Sequence, residues 1–192
     1  MLVSTKQFEA EKCIVNGETM AILPFRKEHH LYAKILETSG ERIVPIRPVY
    51  VIDQSCRYYG SSFKGRVEGS KGLLGITKKL PIVIDPANSL YFFPTHSPAR
   101  HQCAWFSHSH ISRFMKTDSN CTEVIFRNGQ KIVADISPSS FSHQFYKTAH
   151  LRTIISSRIE QEQRRMNTIL FPKEQHAYIY EQLVREFRKE DG

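Results

Sequence analysis

The sequence has no long apolar run, no secretory leader and few cysteines. No stretch approaches the roughly 18–20 apolar residues that cross a bilayer. The opening residues, MLVSTKQFEAEKC, lack the apolar core of a signal peptide. The cysteines form no CxxC pair and are too sparse for a secreted disulfide scaffold; they are Cys13, Cys56, Cys103 and Cys121. We therefore expect a cytoplasmic protein with reduced thiols and no membrane partner.

The signatures of common catalytic sites are also absent. The sequence contains no GxxxxGK[ST] loop, no GxSxG elbow and no HExxH helix. One cluster resembles a set of metal ligands, although its spacing matches no strong zinc signature: His96, His101, Cys103, His108 and His110. We expect no enzyme, no metal and no cofactor. A nuclease that binds metal through His108 and His110, and a Cys103–His108 dyad, stay open as alternatives.

The positive charge is confined to the middle of the chain. The formal net charge is +8; residues 1–55 carry seven basic and seven acidic side chains, residues 56–166 carry sixteen and seven, and residues 167–192 carry four and five. Each cation that meets a nucleic-acid phosphate releases a condensed counterion, so a confined excess suits a phosphate-bearing partner. The charge therefore favours nucleic acid, with a merely solvated basic surface as the alternative.

Two Asn-Gly pairs mark the turns of predicted hairpins. Asn16-Gly17 separates residues 13–15 from 20–23, and Asn128-Gly129 separates 122–127 from 131–136. The second is the strongest local structural signal in the chain. Alternating apolar residues and flanking turn residues predict further strands over residues 31–36, 43–52, 81–84, 90–93 and 103–106.

Three segments are predicted to interrupt or weaken these strands. Pro45 and Pro48 restrict residues 43–52 to a sheet edge or to irregular structure, because proline lacks the N–H that pairs strands. Residues 56–75 contain several glycines among basic residues and are predicted to form a loop. Residues 94–102 are predicted as a second long loop.

After residue 137 the apolar period becomes that of a helix. Phe141, Phe145, Ala149 and Ile155 recur at helical spacing behind a serine N-cap. The polar residues 160–167 continue this helix or form a linker, Pro172 marks a break, and residues 177–187 form a second amphipathic helix. The expected fold class is α+β, with a β-rich body of antiparallel strands and hairpins followed by C-terminal helices. The predicted domains are residues 1–160, ending in a helix, and residues 161–192, a linker and helix.

One segment combines cations, aromatic rings, hydroxyls and glycines: RYYGSSFKGR, residues 57–66. Glycine lets backbone N–H groups approach phosphates, serine hydroxyls donate to phosphate oxygens, and arginine pairs with phosphate or enters a groove. A glycine-rich surface loop with incidental charge is the alternative. An RNA-binding module that stacks bases is another, and its aromatic residues would be Tyr58, Tyr59, Phe63 and Trp105.

Five colinear segments resemble the ComK family of competence transcription factors. They are DQSCRYYGSSFKGR (53–66), LPIVIDPANSLYFFPT (80–95), QCAWFSHSHI (102–111), TEVIFRNGQK (122–131) and YKTAHLRT (146–153). The resemblance implies a nucleoid-associated, sequence-selective transcription activator of DNA-uptake genes. It would bind paired A/T-rich boxes of double-stranded DNA largely through the minor groove, as a dimer or tetramer, and engage RNA polymerase. A diverged paralogue that acts through protein contacts stays open.

The implied A/T-rich target points to particular cations. A-tracts have a narrow minor groove whose enhanced negative potential attracts arginine. A first group of predicted DNA-binding residues is Arg57, Lys64 and Arg66, with Lys71, Lys78 and Lys79 serving phosphates. A second group lies around the predicted hairpin and comprises Arg100, Arg113, Lys116, Arg127 and Lys131.

The resemblance also implies regulated proteolysis. In the family, a short hydrophobic-Pro-Lys motif is bound by a MecA-type adaptor, which delivers the activator to a Clp protease. The matching residues have Thr168 where an aromatic residue is expected, and the predicted adaptor-binding set is Ile169, Leu170, Phe171, Pro172 and Lys173. A connector that packs Leu170 and Phe171 into the core is the alternative.

Overall fold

The computed structural model describes residues 13–170, the last three by their backbone alone. The chain divides into two compact units, Met1–Thr153 and Ile154–Gly192. In the first unit, two antiparallel sheets and two short helices enclose the core. A third helix begins in the first unit and continues into the second.

A six-stranded antiparallel sheet, the large sheet, forms the centre of the first unit. Its strands are β1 Thr19–Lys27, β2 His30–Glu37, β3 Gly40–Val44, β4 Ile82–Asp85, β5 Leu90–Pro94 and β6 Trp105–Ser107. Their order is β3-β2-β1-β6-β5-β4. The two halves of the sheet therefore join where β1 pairs with β6, between segments that are far apart in sequence.

A second sheet, the small sheet, has three antiparallel strands in the order β7-β8-β9. They are β7 Ile111–Lys116, β8 Thr122–Phe126 and β9 Lys131–Ala134. The turn between β8 and β9 contains Gly129 at φ +86°, a left-handed conformation that glycine adopts without strain. The predicted hairpin at Asn128-Gly129 is confirmed.

The three α-helices are α1 Pro48–Tyr58, α2 Phe63–Leu74 and α3 Pro138–Leu170. Pro48 lies in the first turn of α1, where its missing N–H costs nothing. The Ser62 hydroxyl caps α2 by accepting from the Gly65 N–H at 3.1 Å, and Gly75 ends α2 at φ +66°. None of the helices within residues 13–170 combines the length and the apolar composition that crossing a membrane requires.

The core lies on both faces of the large sheet. Consecutive residues point to opposite faces, so Phe92 and Trp105 join one buried cluster while Phe93 and Phe106 join the other. Helices α1 and α2 cover the first cluster through residues such as Val51, Ile52, Cys56 and Val67. The small sheet and the first turns of α3 cover the second, through Val124, Phe126, Ala134 and Phe141.

The α+β fold class and the strands at residues 31–36, 81–84 and 90–93 are confirmed. The loop predicted over residues 56–75 is wrong, because α2 forms there despite its glycines: Phe63 and Val67 pack on the core and Ser70 is buried. The strand predicted over residues 43–52 is wrong beyond Val44, because α1 begins at Pro48.

The hairpin predicted at Asn16-Gly17 is also wrong. The turn at Asn16-Gly17 leads into β1, whose hairpin partner is β2 through the Lys27–His30 turn. Residues 160–167 continue helix α3 rather than forming a linker. The predicted break at Pro172 and the helix over residues 177–187 lie outside the described residues.

Gln144, on α3, gives a direct test of how the layers are held together. Its side chain is buried, and its amide nitrogen donates to the carbonyls of Lys79 at 2.7 Å and Pro94 at 3.0 Å. We expect Gln144→Leu to leave both carbonyls unpaired and to lower the free energy of unfolding by about 1–3 kcal/mol per orphaned group. Denaturant unfolding measures the change. His143→Ala, at an exposed position on the same helix, is the control and should shift stability by less than about 0.5 kcal/mol. Equal stability of both variants would contradict the anchoring role.

Candidate nucleic-acid interface

Helix α2 presents a bare backbone strip to solvent. At 100° per residue, Gly65, Gly69 and Gly72 lie opposite the face that carries Phe63 and Val67 into the core. A Cβ atom at Gly69 or Gly72 would meet nothing within 4 Å among the described residues, and at Gly65 only the Ser62 hydroxyl, at 3.2 Å. Packing within this part of the chain therefore does not require these glycines, although each costs a helix roughly 0.5–1 kcal/mol relative to alanine.

Several exposed cations lie on α2 and on the loops near it. Residues 56–80 contain six Lys and Arg and a single acidic residue, Glu68. Lys71 pairs with Glu68 at 3.8 Å, and both side chains are exposed. The remaining exposed cations of α2 and the neighbouring loops make none of the ion pairs found in residues 13–170; they are Lys64, Lys78, Lys79 and Arg100. We call Lys64, Lys71, Lys78, Lys79 and Arg100, with the glycine strip, the helix surface.

The two arginines of the first predicted group have partners within the fold. Arg57, whose side chain is 70% exposed, pairs with Asp53 at 2.9 Å across one turn of α1. Arg66 is half-buried and donates to the Ile84 carbonyl at 3.0 Å, which ties α2 to β4. Arg57 is therefore accessible at the surface. One nitrogen of the Arg66 guanidinium, in contrast, is already used in a hydrogen bond within the fold.

The second predicted group lies mainly on the small sheet. Arg113 pairs in register with Ile125, and Ile125 with Lys131, so the two cations flank an apolar residue across three strands. Two strand spacings separate them by about 10 Å. The four exposed cations of this layer, which we call the sheet surface, are Arg113, Lys116, Arg127 and Lys131. They too make none of the ion pairs within the described residues.

The fold separates these two surfaces. Helices α1 and α2 cover one face of the large sheet, and the small sheet covers the other. The sequence predicted two groups of cations; Arg100, placed there in the second group, lies in the loop after β5, and the other four members of that group form the sheet surface.

The predicted histidine and cysteine cluster is dispersed by the fold. The ring of His108 stacks on Phe145, with centroids 4.4 Å apart, and its two nitrogens are buried with no hydrogen-bond partner in the described part of the chain. His110 Nε2 instead bonds the Gly17 carbonyl oxygen at 2.8 Å. Within residues 13–170, no group of three or more His, Cys, Asp or Glu side chains is placed to hold a metal ion.

Burial also changes the chemistry proposed for Cys103. Burial is the main cause that raises the pKa of its thiol to about 11, and its Sγ donates to the His96 carbonyl at 3.3 Å. A thiol with that pKa stays protonated at neutral pH, whereas a nucleophilic cysteine reacts as the thiolate. Cys103 is thus a packed core residue rather than a member of an activated dyad.

The aromatic set proposed for base stacking is mostly internal. Trp105 is fully buried, and its ring meets Phe63 edge-on at 5.9 Å. Tyr59 and Phe63 are partly buried against the first core cluster. Tyr58 is 63% exposed, and Phe63 is accessible where it lines a cavity beside α2. The four rings therefore do not form one continuous stacking platform.

The predicted adaptor-binding residues fall at the boundary of the description. Ile169 and Leu170 are the final residues of α3, where only the backbone is described. Phe171, Pro172 and Lys173 lie outside the described residues. The adaptor site stays a prediction.

Comparison with known proteins places the chain in a family. The model of the family described as ComK protein matches residues 10–160. A protein of Bacillus subtilis (strain 168) named "Competence transcription factor" is 40% identical over 174 residues, which cover 90% of this chain and 91% of the relative. The chain belongs to the ComK family. No solved structure matches it significantly.

Sequence reasoning missed Gln144, Lys147 and Arg152. Burial and the ammonium of Lys79 lower the pKa of Lys147, which places these two cations near each other. The Arg152 guanidinium lies over the ring of Tyr91, 6.0 Å from its centroid. The helical period of α3 identified its apolar face, but the tertiary partners of polar residues beside that face carry no periodic signal.

The buried imidazole of His108 predicts a pH dependence of stability. Burial, followed by Arg152 and Arg127, lowers its pKa from 6.5 to about 4. Between these values the unfolded chain binds a proton that the folded protein does not, so stability is lost as the pH falls from 6.5 towards 4. We expect His108→Phe to reduce the loss of unfolding free energy between about pH 7 and about pH 5. Denaturant unfolding at both pH values checks this, with His143→Phe as the control at an exposed site. An unchanged pH dependence in His108→Phe would contradict the account.

Proposed function

We propose that this chain is a sequence-selective DNA-binding transcription activator of competence genes, and not an enzyme. Its membership of the ComK family and the name of its Bacillus subtilis relative support this proposal. The main structural support is the helix surface, which combines exposed cations of α2 and the nearby loops with a strip of exposed helix backbone. Its place of action is the cytoplasm, on the nucleoid.

The glycine strip lets a phosphate backbone approach α2 more closely than any side chain would allow. Lys64 and Lys71, two helical turns apart, flank the strip on one side. Lysines and exposed backbone position a protein on DNA without reading its sequence. In this arrangement α2 sets the register of the protein on the duplex, and Lys78, Lys79 and Arg100 extend the contact along the loops.

Arg57 supplies selectivity for A/T-rich DNA. Its ion pair with Asp53 is exposed, and such pairs contribute only about 0–1 kcal/mol. Exchanging Asp53 for the negative potential of a narrow minor groove therefore costs little. Asp53 keeps a second partner, because its other oxygen accepts from the Phe63 N–H at 3.3 Å. The carboxylate thus remains in place at the start of α2 when the arginine turns outward.

The separation of the two basic surfaces suits an oligomer on paired boxes. Each protomer meets its own box through the helix surface. The sheet surface reaches DNA only when a neighbouring protomer or a bend brings duplex to the opposite layer. RNA polymerase engages the complete assembly on the promoter. A MecA-type adaptor binds the activator and delivers it to a Clp protease; the residues it binds are Ile169, Leu170, Phe171, Pro172 and Lys173.

Binding to duplexes with one A/T box, with two boxes, and with G/C-substituted boxes tests this proposal across salt concentration. We expect tighter binding to A/T boxes and a steep fall of affinity with salt. On one box, Lys64→Gln/Lys78→Gln should reduce the slope of log K against log salt by about 1 for each lost phosphate contact. The matched variant Arg113→Gln/Lys131→Gln, which removes the same charge from the other layer, should weaken binding only to the paired boxes.

Fluorescence anisotropy with labelled duplexes gives both the affinity and the salt slope. Equal affinity for A/T and G/C duplexes would overturn sequence selectivity, and a flat salt dependence would overturn phosphate contact. If both double variants lost single-box affinity equally, the assignment of the helix surface would be wrong.

A further inference from the structure

A cavity of about 410 Å³ lies beside α2 in the first unit. Its apolar walls come from α2 and from the loops that precede β4 and follow β5, and consist of Phe63, Val67, Leu80 and Pro98. Pockets for small molecules are commonly 300–1,000 Å³ in volume and combine apolar walls with a few polar groups. The cavity therefore has the size and the lining of a site for a small ligand.

The polar groups of the cavity all suit an anion. Lys78 and Lys79 line it together with the hydroxyl-bearing residues Thr77 and Ser97, and none of the acidic side chains within residues 13–167 does. Neither lysine makes any of the ion pairs found within residues 13–170. Phosphate carries up to two negative charges and three acceptor oxygens at neutral pH. Two lysines and two hydroxyl donors match that chemistry better than they match a single carboxylate.

The loop that carries the lysines is held in a strained position. Lys79 has φ +49°, a left-handed conformation that costs a non-glycine residue of order 1–3 kcal/mol unless its surroundings enforce it. Here the buried Gln144 amide holds the Lys79 carbonyl at 2.7 Å. Such enforced strain is concentrated at ligand-binding sites.

Lys147 and Arg100 add positive charge near this loop. Burial and Lys79 lower the pKa of Lys147, while burial, Lys79 and Arg100 lower that of His96. Asp135 acts on His96 in the opposite direction. Mutual repulsion among cations is relieved when an anion binds between them, so an anionic ligand would be stabilised at this end of the cavity.

We propose that this cavity binds a nucleoside monophosphate, with the base against Phe63 and the apolar walls and the phosphate on Lys78 and Lys79. A flat ring stacks on an aromatic side chain whatever its hydrogen-bonding groups. The proposal goes beyond DNA binding and does not depend on it, because the ligand is a free nucleotide and the test contains no DNA.

The chain carries its own reporter of occupancy. It has a single tryptophan, Trp105. The indole is fully buried, and its ring lies edge-on against Phe63 with centroids 5.9 Å apart. A base stacked on the other side of Phe63 changes the surroundings of the indole, so binding is expected to alter tryptophan fluorescence.

The test titrates the full chain with AMP and GMP while tryptophan fluorescence is recorded, and repeats the titration by calorimetry. Adenosine and ribose 5-phosphate are the matched probes, since each lacks one half of the ligand. We expect saturable binding of a nucleotide that is at least about tenfold tighter than that of either probe, a difference of about 1.4 kcal/mol. Absence of saturable binding, or equal binding of ribose 5-phosphate, would overturn the proposal.

Two variants separate the cavity from general attraction between a basic protein and an anion. Lys78→Gln/Lys79→Gln should weaken nucleotide binding at least about tenfold, whereas Arg113→Gln/Lys131→Gln removes the same charge from the sheet surface and should leave it unchanged. Val67→Phe fills the cavity and should abolish nucleotide binding. Because that change could disturb the fold, the lysine-to-glutamine changes at the exposed positions 78 and 79 keep the test decisive. Equal loss in both double variants would show nonspecific charge attraction and overturn the site.

Discussion

The large sheet must be covered on both faces, and the rest of the structure follows from that requirement. Phe92 and Phe93 are neighbours in β5 but point to opposite sides, as do Trp105 and Phe106 in β6, and all four are fully buried or nearly so. A sheet that is apolar on both faces is unstable in water unless each face packs against another layer. Two short helices provide one layer, and the small sheet with the start of α3 provides the other.

This double coverage also sets the arrangement of charge. The basic residues cannot be buried, so they emerge on the outer sides of the two covering layers. The helix surface and the sheet surface are therefore built on different elements and face different directions. The proposed assembly on paired boxes uses both surfaces.

Much of the fold was predictable from the sequence because strand periodicity is a local signal. The segments of β2, β4, β5, β8 and β9 alternate or carry apolar runs bounded by turn residues. Helix α2 was not predicted, because Gly65, Gly69 and Gly72 lower its intrinsic helical propensity and the packing that offsets them is tertiary. Helix α1 was not predicted either. Pro48 was interpreted only as weakening a strand, whereas proline is favourable in the first turn of a helix.

The sequence predicted which segment is rich in basic residues, but not which of those residues lie together on one surface. The net charge of residues 56–166 predicted a nucleic-acid partner, and the residues around Arg57 and Lys64 predicted the segment that would contact it. Which cations are free depends on neighbours that only the fold supplies. Arg66 and Lys64 look equivalent in sequence, yet one is tied to the Ile84 carbonyl and the other is exposed. The same holds for His108, whose aromatic neighbour Phe145 comes from a different element.

The central claim is that α2 keeps its exposed glycines so that DNA backbone can approach the helix. Gly69→Leu tests this most directly, because stability and affinity should change in opposite directions. Leucine at this open position favours the helix, by roughly 0.5–1 kcal/mol relative to glycine, so the melting temperature should rise or hold. Affinity for an A/T-box duplex should fall by at least about tenfold, because the side chain occupies the space of the backbone. A stable variant that binds the duplex as tightly as the unmodified protein would contradict the account.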